Sequence, residues 1–565
     1  MKKIAFLTYE TPWAKGGGIA AVIAHLPAAV RQASGLDTFV ISPLHFRCQK
    51  MPEVVTESAG ELAVPFQEAS LRVDVRRLVE APAYLFLQPD DGKLLHGEEE
   101  RLFAGLRHPY DVPAGRLRRD AVLFGAAAAR ALAALDPEAE WILFAQDWEA
   151  ATTALATAGR QSPLPVFLTL HNSYDCPVSA GDLASVGIDA GGSAGHTVLE
   201  RALPRVAAPV LTVSEQFATD LVEDPLQAKV MAPHLRESLR RRLVGVDNGP
   251  FGELQIPPEE LAAARAGDFA KLRAWKADRK ADAARALGAL GRSPDQPVWG
   301  EPAEFLRVLC AAHPAWIVMA GRDDPRQKGY DVAVAAIERL LAVRQDAQFL
   351  FFPIPGDEGL PGLAFLQELT VRHPGNVVAL PFLFQEGSLA ALRGAEYGLM
   401  PSLYEPFGMA GDFYLNGTVA IGRATGGILQ QVVPLRSTAA FSHAVQRRSE
   451  RWHCAAALPT GILFRERDGI PSVAADWRGI NAARYSVGGS PNRVNERQAF
   501  ALYRHMVAEL ERALRDGLEV LHDEPDLYGA MAVAGVAHIR QSFSWSRAAA
   551  AYVRFLDSVS QEQAP

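Results

Sequence analysis

Ile4-Ala5-Phe6-Leu7 is a short apolar run, and Lys15–Val22 (KGGGIAAV) follows it and begins a helix-like stretch. An apolar run of this length, bounded by turn residues, is typical of a buried strand. Glycines between a strand and a helix let backbone N–H groups and the helix N-terminus approach a diphosphate. The segment has neither Walker nor dinucleotide-fingerprint spacing, so a glycine-rich turn that only lets the helix pack closely is the alternative.

The same alternation of apolar runs and helical patterns continues along the chain. Runs that are nearly continuously apolar and are separated by alanine-rich helical stretches are typical of parallel strands buried on both faces. They lie at 38–41, 141–144, 166–170 and 210–213, and again at 316–319, 349–352, 377–380, 397–400 and 419–421. We therefore predict an α/β protein with two doubly wound, Rossmann-like sheets.

A charged stretch over 247–292, with helical composition and no strand pattern, separates the two sets of runs. It predicts an N-terminal Rossmann-like domain over 1–248, a C-terminal one over 249–540, and a last helix over 541–565. Ligands of α/β sheets bind beyond the carboxyl ends of the strands. Two such domains are expected to face each other across a cleft lined by these loops.

Composition narrows the class of partner. A net charge of −8 gives no overall basic field for nucleic acid or an anionic membrane, whereas a carbohydrate acceptor is compatible with it. The four cysteines lack metal-like or CxxC spacing, which predicts free thiols in a reducing compartment. No apolar run approaches 18 residues, and the first strand begins too early for a signal peptide. We expect a cytoplasmic protein.

Charged residues follow two predicted strands of the second domain. In 321–329 (GRDDPRQKG), Arg322 and Lys328 are candidates to converge on a diphosphate and to stabilise charge on a leaving nucleotide. A solvated loop with internal Arg–Asp pairs is the alternative. Glu405, in YEPFGM, is suited to accept hydrogen bonds from sugar hydroxyls, unless the segment is only a cap and a turn.

Polar residues also follow two predicted strands of the first domain, at Asp147-Trp148-Glu149 and at Thr169–Asn172 (TLHN). A single histidine such as His171 in this position is more often a structural hydrogen-bonding residue than a catalyst. The chain has no Ser/His/Asp spacing, HExxH pattern or EF-hand loop.

Taken in order, these segments resemble the glycogen and starch synthases, retaining glucosyltransferases with the two-lobed GT-B fold. The family's Lys-Thr-Gly-Gly-Leu-x-Asp-Val, His-Asp-Trp-His and Thr-Ile-His-Asn compare with 15–22, 146–149 and 169–172. Its Arg…Gln-Lys-Gly, Glu-Pro-x-Gly, Thr-Gly-Gly and Phe-Ser-Trp compare with 322–329, 405–408, 425–427 and 543–545.

The resemblance implies roles for the matching residues. Lys15 with the Gly17 and Gly18 amides would face the donor phosphates. Arg322 and Lys328 would neutralise the departing diphosphate, and Glu405 with the Gly408 and Met409 amides would hold sugar hydroxyls. The implied catalytic residues are Arg322, Lys328, Glu405 and Glu149. The implied ligand-binding residues are Lys15, Gly17, Gly18, His171, Gly408, Met409, Thr425, Gly426 and Gly427.

The resemblance also implies metal-independent chemistry with no cofactor beyond a nucleotide-sugar cosubstrate. The departing phosphate would take the proton of the acceptor hydroxyl. The predicted function is transfer of glucose from ADP-glucose or UDP-glucose to the 4-hydroxyl of an α-glucan. The alternatives are a same-fold enzyme with another donor sugar or a small acceptor, and a degenerate carbohydrate-binding protein without activity.

Four departures from the family motivate these alternatives. Gln146 and Glu149 stand where the family has histidines, and Ala21 stands where it has Asp. The spacing from Arg322 to Lys328 is one residue longer than in bacterial glycogen synthases. An ionised carboxylate at 149 accepts hydrogen bonds but donates none, so it would favour another hydroxyl pattern or an amino group.

Overall fold

The computed structural model describes residues 1–90, 101–105, 108–158, 164–189, 195–291, 293, 296–356, 358–382, 384–483, 485–487, 490–491 and 494–562. The chain divides into two compact units. Unit 1 comprises Met1–Gly249 and Ser544–Pro565, and unit 2 comprises Pro250–Phe543. No helix in the described residues is both long and apolar enough to cross a membrane. All four cysteines are free thiols.

Unit 1 contains a nine-stranded sheet in the order β3-β4-β5-β2-β1-β6-β7-β8-β9. Its strands are β1 (Lys2–Leu7), β2 (Asp37–Pro43), β3 (Thr56–Phe66), β4 (Ala69–Leu78), β5 (Tyr84–Pro89), β6 (Glu140–Gln146), β7 (Val166–Leu170), β8 (Val210–Thr212) and β9 (Leu243–Gly245). All neighbours pair in parallel except β3–β4 and β4–β5, which are antiparallel. The apolar residues of the central parallel strands are buried, as their composition predicts.

Helices cover this sheet and pack closely. They are α1 (Gly18–Ser34), α2 (Phe46–Gln49), α3 (Ala114–Leu135), α4 (Asp147–Thr157), α5 (Ala180–Ala184), α6 (Val198–Ala202), α7 (Glu215–Glu223) and α8 (Arg236–Leu239). A Cβ atom at Gly125 of α3 would lie 2.3 Å from the Thr152 hydroxyl oxygen of α4, so glycine permits the close approach of these two helices. A 3₁₀ turn (Leu203–Arg205) and a π-helical turn (Gln227–Met231) complete the unit.

The last helix of the chain, Trp545–Glu562, also belongs to unit 1. Its Tyr552 ring packs against Phe144 of β6, with ring centroids 4.9 Å apart, and its hydroxyl lies 3.0 Å from the Thr169 hydroxyl of β7. Trp545 stacks on His25 of α1 at 5.3 Å. Burial of this aromatic face holds the helix on the sheet of unit 1.

Unit 2 contains a six-stranded parallel sheet in the order β12-β11-β10-β13-β14-β15. Its strands are β10 (Ala315–Arg322), β11 (Ala347–Ile354), β12 (Val377–Ala379), β13 (Tyr397–Met400), β14 (Val419–Arg423) and β15 (Gly461–Phe464); β16 (Ser486–Val487) and β17 (Ser490–Pro491) form a separate antiparallel pair. Counted within the unit, the large sheet has the order 3-2-1-4-5-6 of a doubly wound fold.

The helices of unit 2 are α9 (Pro258–Arg265), α10 (Ala270–Gly288), α11 (Pro302–Ala312), α12 (Tyr330–Leu341), α13 (Gly359–Gly362), α14 (Ala364–Arg372), α15 (Gln385–Gly394), α16 (Ala410–Leu415), α17 (Gly426–Gln431), α18 (His443–Ser449), α19 (Val473–Ala482), α20 (Val494–Arg497), α21 (Ala501–Asp523) and α22 (Pro525–Ser542); the helix of unit 1 that follows them is α23. The two parallel-dominated sheets confirm the predicted fold class. Strands β3–β5 were not predicted. The buried residues of β3 and β4 alternate with more exposed ones, and in β4 the intervening residues are charged.

Candidate active site

The strand order of each sheet reverses at one place, and the candidate residues follow the strands at these places. In unit 1 the reversal lies between β1 and β6, and in unit 2 it lies between β10 and β13. Loops that leave the carboxyl ends of such strand pairs diverge and leave a crevice, which is where open α/β sheets bind ligands. The topology therefore indicates a candidate site in each unit.

In unit 1, the glycine loop is organised by a carboxylate that the sequence analysis missed. Glu10, in the loop after β1, accepts hydrogen bonds at Oε2 from the amides of Gly16 (2.8 Å), Gly17 (2.6 Å) and Ala20 (3.3 Å). The Tyr110 hydroxyl donates to its Oε1 at 2.8 Å. Glu10 thus occupies the anion-binding position at the start of α1. The signal that could have revealed it is an acidic residue between a strand and a glycine run.

The amides of the glycine loop are therefore not equivalent. The Gly17 amide donates a hydrogen bond to Glu10, which differs from the expectation that this amide faces a phosphate. The Gly18 amide, at the first position of α1, has no acceptor among the described residues, and no atom lies within 4 Å of the position that a Cβ would take there. Lys15 is exposed. Gly18 and Lys15 are thus accessible to a ligand on unit 1.

The loops after β6 and β7 meet at Asp147. Its carboxylate accepts the His171 backbone N–H at 2.6 Å and the Asn172 side-chain amide at 2.8 Å. Asp147 has φ +58°, in the left-handed region that a non-glycine residue adopts at an energetic cost. The two hydrogen bonds hold this backbone conformation, which directs α4 away from the end of β6.

His171 is a neutral, hydrogen-bonded histidine. Burial lowers its pKa to about 3. The Gln146 side-chain amide donates to the Phe144 carbonyl at 3.1 Å, which leaves the Gln146 Oε1 to accept from His171 Nε2–H at 2.8 Å. The Nδ1 atom of His171 is then the acceptor of the neutral ring. Gln146, which replaces a family histidine, thus fixes the His171 tautomer.

Glu149 is buried in the first turn of α4, and the residue is 4% exposed. Its Oε2 atom has no hydrogen-bond partner among the described residues. Burial, and then the charges of Asp147, Glu10 and Asp175, raise the pKa of Glu149 well above its ordinary value. Several polar atoms of unit 1 are enclosed without a hydrogen-bond partner among the described residues, and Glu149 Oε2 is the carboxylate oxygen among them.

In unit 2, the loops after β10 and β13 bring Lys328 and Glu405 into contact. Lys328 Nζ lies 2.6 Å from Glu405 Oε2, and the Ser402 hydroxyl donates to the same oxygen at 2.9 Å. The Gln327 amide donates to Glu405 Oε1 at 3.4 Å. Arg322 is the last residue of β10, at the start of the same loop. Gln327 and Ser402 were not singled out by the sequence analysis.

The backbone of Glu405 contacts the Thr425–Gly427 segment. The Gly427 amide donates to the Glu405 carbonyl at 3.1 Å. Gly426 has φ +47°, and a Cβ there would lie 1.6 Å from the Glu405 carbonyl oxygen, so only glycine fits. Thr425 and Met409 are the N-cap residues of α17 and α16, and Gly408, at φ +91°, precedes Met409. The structure therefore brings Lys328, Gly408 and the Thr425–Gly427 segment to Glu405.

A buried charge cluster beneath these loops was also missed by the sequence analysis. Arg423, the last residue of β14, donates to Glu466 through both Nε (2.9 Å) and Nη2 (2.5 Å), and to the Leu403 carbonyl at 2.6 Å. Arg465 donates to the Ala424 carbonyl at 2.8 Å. Although burial opposes ionisation, Arg423 and Arg465 hold the pKa of Glu466 at about 2. The cluster fixes the loops on either side of Glu405.

A second buried pair holds the loop that carries Lys328. Arg497, in α20, donates to Asp331 at 3.0 Å and to the carbonyl of Pro325 at 2.8 Å. It also donates to the Ala483 carbonyl at 2.7 Å, and the Tyr485 hydroxyl donates to Asp331 at 2.7 Å. Arg497 and Asp331 are fully buried. Because Pro325 lies within the loop, this network anchors the middle of the loop from below.

The sequence of this chain is similar to those of starch and glycogen synthases. Residues 3–237 match the family model of the starch synthase catalytic domain. The chain is 29% identical over 450 residues to the glycogen synthase of Dechloromonas aromatica, covering 76% of this chain and 84% of that protein. It is 28% identical over 445 residues to the glycogen synthase of Yersinia pseudotuberculosis, covering 75% and 83%.

Solved structures share the fold. The catalytic domain of starch synthase IV from Arabidopsis thaliana, bound to ADP and acarbose, has a TM-score of 0.61 at 17% identity and covers 94% of this chain and 99% of its own. Sucrose-phosphate synthase from Thermosynechococcus elongatus has a TM-score of 0.52 at 15% identity, with 100% coverage of both chains. Fold and similarity together define the class: the chain is a glycosyltransferase with the GT-B fold. Within that class, the chain is similar to the glycogen and starch synthases.

Proposed function

We propose that this enzyme is a retaining glucosyltransferase that moves glucose from ADP-glucose or UDP-glucose to the 4-hydroxyl of an α-glucan. The observation that carries the proposal is the contact between Lys328 and Glu405 at the switch point of unit 2. It joins a fixed cation, suited to a phosphate, to a carboxylate suited to sugar hydroxyls. A nucleotide sugar requires both chemistries next to each other.

The proposed chemistry is a single exchange at the anomeric carbon. The bond from this carbon to the diphosphate oxygen breaks, and the acceptor oxygen forms a bond on the same face. The acceptor proton passes to an oxygen of the departing diphosphate. Lys328 and Arg322 stabilise the negative charge that develops on that group, without a divalent ion. Glu405, with the Gly408 and Met409 amides and the Thr425–Gly427 segment, orients the sugar.

Lys15 and the Gly18 amide are the groups of unit 1 proposed to contact donor phosphate. Their support is that Lys15 is exposed and that the space above Gly18 is open. The Gly17 amide, which donates to Glu10, is left out of this set. The neutral His171 ring offers one acceptor nitrogen, which fits a hydroxyl of the sugar.

Similarity to glycogen synthases supports a glucan acceptor, and the starch synthase IV structure, whose ligands are ADP and acarbose, supports an adenine nucleotide and an oligosaccharide. We propose a cytoplasmic location on the same basis, since nucleotide sugars and glucan primers would meet there. The replacement of the family histidine by Glu149 favours a second candidate, a same-fold transferase with another donor sugar or a small acceptor.

The test is incubation of the full chain with radiolabelled ADP-glucose or UDP-glucose and maltooligosaccharides, with and without EDTA. We expect a ladder of lengthened glucans that EDTA does not suppress. One defined product with a small acceptor would replace the proposal by the second candidate. Absence of transfer from any common nucleotide sugar, together with glucan binding but no ADP or UDP binding by calorimetry, would indicate a non-catalytic carbohydrate-binding protein.

A further inference from the structure

Glu149 has a buried carboxylate oxygen, Oε2, that lacks a hydrogen-bond partner among the described residues. Buried polar atoms in native proteins are nearly always hydrogen-bonded, so an unsatisfied carboxylate oxygen at a ligand-binding edge is a candidate to bond a bound molecule. Glu149 follows the carboxyl end of β6, beside the switch point of the sheet, where ligands of α/β folds bind.

The charged groups with the largest effects on Glu149 are acidic, while Arg118 and Arg119 act on its neighbours Cys176 and Tyr9. Asp147 lies on its own helix, Glu10 comes from the loop after β1 and Asp175 from the loop after β7, and all three carboxylates raise the pKa of Glu149. Tyr9, Tyr110 and Cys176 also face it, since the Glu149 charge raises the pKa of each. The N-terminus of α4 favours an anion, but this effect is small against burial beside three carboxylates.

The neighbouring carboxylates differ from Glu149 in being satisfied. Glu10 accepts three backbone N–H bonds and one hydroxyl, and Asp147 accepts two N–H bonds. Burial still raises the pKa of Glu10 and Asp147, but these hydrogen bonds lower it in part, whereas no such donor reaches Glu149 Oε2 within the described part of the chain. When close carboxyls share a proton, the hydrogen bonds that some members accept favour the ionised forms of those members and leave the proton to the member with the fewest such bonds, here Glu149.

We infer that Glu149 binds the substrate as a neutral carboxylic acid, hydrogen-bonded to a hydroxyl group of an uncharged sugar. This inference rests on the proposed function and specifies its substrate class. A protonated carboxyl has one O–H donor and one carbonyl acceptor, which is the hydrogen-bonding capacity of a neutral imidazole. Glu149 can therefore take the place of a histidine without a change to an amino-sugar substrate.

The first test measures the protonation state and needs no activity. Thermal unfolding of the wild type and Glu149→Gln is compared between pH 5.5 and pH 8.5, with the exposed Glu57→Gln as control. Because the folded pKa is raised, the unfolded chain releases the Glu149 proton first as pH rises. The wild type should lose melting temperature relative to Glu149→Gln across this range, while Glu57→Gln should follow the wild type. A constant difference would overturn the inference.

The second test uses the donor and acceptor that give transfer with the wild type. Glu149→Ala should lower turnover about 100-fold, whereas Glu149→Gln and Glu149→His, which keep a donor and an acceptor, should lower it less than about tenfold. If Glu149→Gln is as inactive as Glu149→Ala and the wild type prefers an amino-sugar nucleotide, Glu149 acts as an ionised carboxylate and the inference is wrong. If the wild type transfers nothing, the proposed function fails, and the first test still decides the protonation state.

Discussion

Lys328 Nζ and Glu405 Oε2 lie 2.6 Å apart, although 77 residues separate them in the chain. The contact forms because β10 and β13 are neighbours in the sheet, so that the loops after them meet at one edge. Glu405 is 8% exposed and Lys328 25% exposed in their side chains, so the pair is only partly screened by water. Lys328 has three N–H donors, and one bond to Glu405 leaves others for a phosphate.

Lys328→Ala should lower turnover about 100- to 1000-fold, because the variant lacks a fixed charge next to the leaving group. Arg322→Ala should have an effect of the same size for the same reason. Initial rates at saturating donor measure the loss, and Lys271→Ala, at an exposed ion pair of unit 2, is the control. Unchanged turnover in both variants would remove the proposed role of the two cations.

Arg497→Lys should raise the KM for the nucleotide sugar about tenfold or more. Lysine keeps the charge beside Asp331, but it lacks the planar guanidinium group whose other N–H groups donate to the carbonyls of Pro325 and Ala483. Arg497→Met should lower the free energy of unfolding of unit 2 by about 3–5 kcal/mol, because it leaves the buried Asp331 carboxylate without a counter-charge.

Steady-state kinetics and calorimetric unfolding separate these two effects of Arg497. Arg344→Lys, which alters a partly exposed pair with Asp346, is the matched control. If Arg497→Lys has wild-type kinetics, Arg497 supports the fold alone and does not position the loop of Lys328.

Glu10→Ala should destabilise unit 1 by about 3 kcal/mol, because the variant leaves three amides and a buried hydroxyl without their acceptor. Glu10→Gln keeps one carbonyl oxygen for the amides and should cost less than about 1 kcal/mol. Calorimetric unfolding measures both. Equal stability of the two variants would show that the amides do not depend on this oxygen.

His45→Gln should make unit 1 less sensitive to acid. His45 Nε2–H donates to the Tyr9 carbonyl at 2.8 Å, and burial lowers the pKa of His45 to about 4. The pKa of a histidine in the unfolded chain is about 6.5. Because the folded pKa is lower, the neutral His45 contributes up to about 3 kcal/mol to the free energy of unfolding above about pH 6.5, and this contribution is lost as pH falls through about 4.

Unfolding of the wild type, His45→Gln and the exposed His196→Gln at pH 7 and pH 4.5 measures this effect. The His45 variant should lose less stability between the two values than the other two proteins. The same loss in all three would contradict a neutral buried His45.

Much of the fold could be predicted from short segments. The apolar runs of β1, β6 and β10, buried on both faces, had an unambiguous strand pattern, because parallel strands covered by helices admit few polar residues. The hairpin of β3 and β4 could not be predicted in the same way, because its strands alternate buried and exposed residues. The candidate residues after β10 and β13 followed from strand exits and from the family resemblance.

The tertiary contacts of the candidate site could not be predicted from sequence patterns. Glu10 lies six residues from Gly16, yet its contact with that amide depends on the turn between them and on Tyr110, 100 residues away. Arg497 lies 172 residues from Pro325, and no local pattern links the two. Spacing along the chain does not report such contacts, since they form only when strand order brings distant loops together.

By itself, the sequence determined most of the parallel strands, where the glycines and charged residues follow them, and the class of enzyme to which they point. These features are local, because they depend on periodicity and on residue type within a few positions. Only the tertiary structure decided that Lys328 pairs with Glu405 and that Glu10 occupies the glycine loop. It also decided that Glu149 Oε2 is enclosed with no hydrogen-bond partner in the part of the chain that the structure describes. These contacts depend on strand order and side-chain packing, because residues far apart in the chain meet only when each unit has folded.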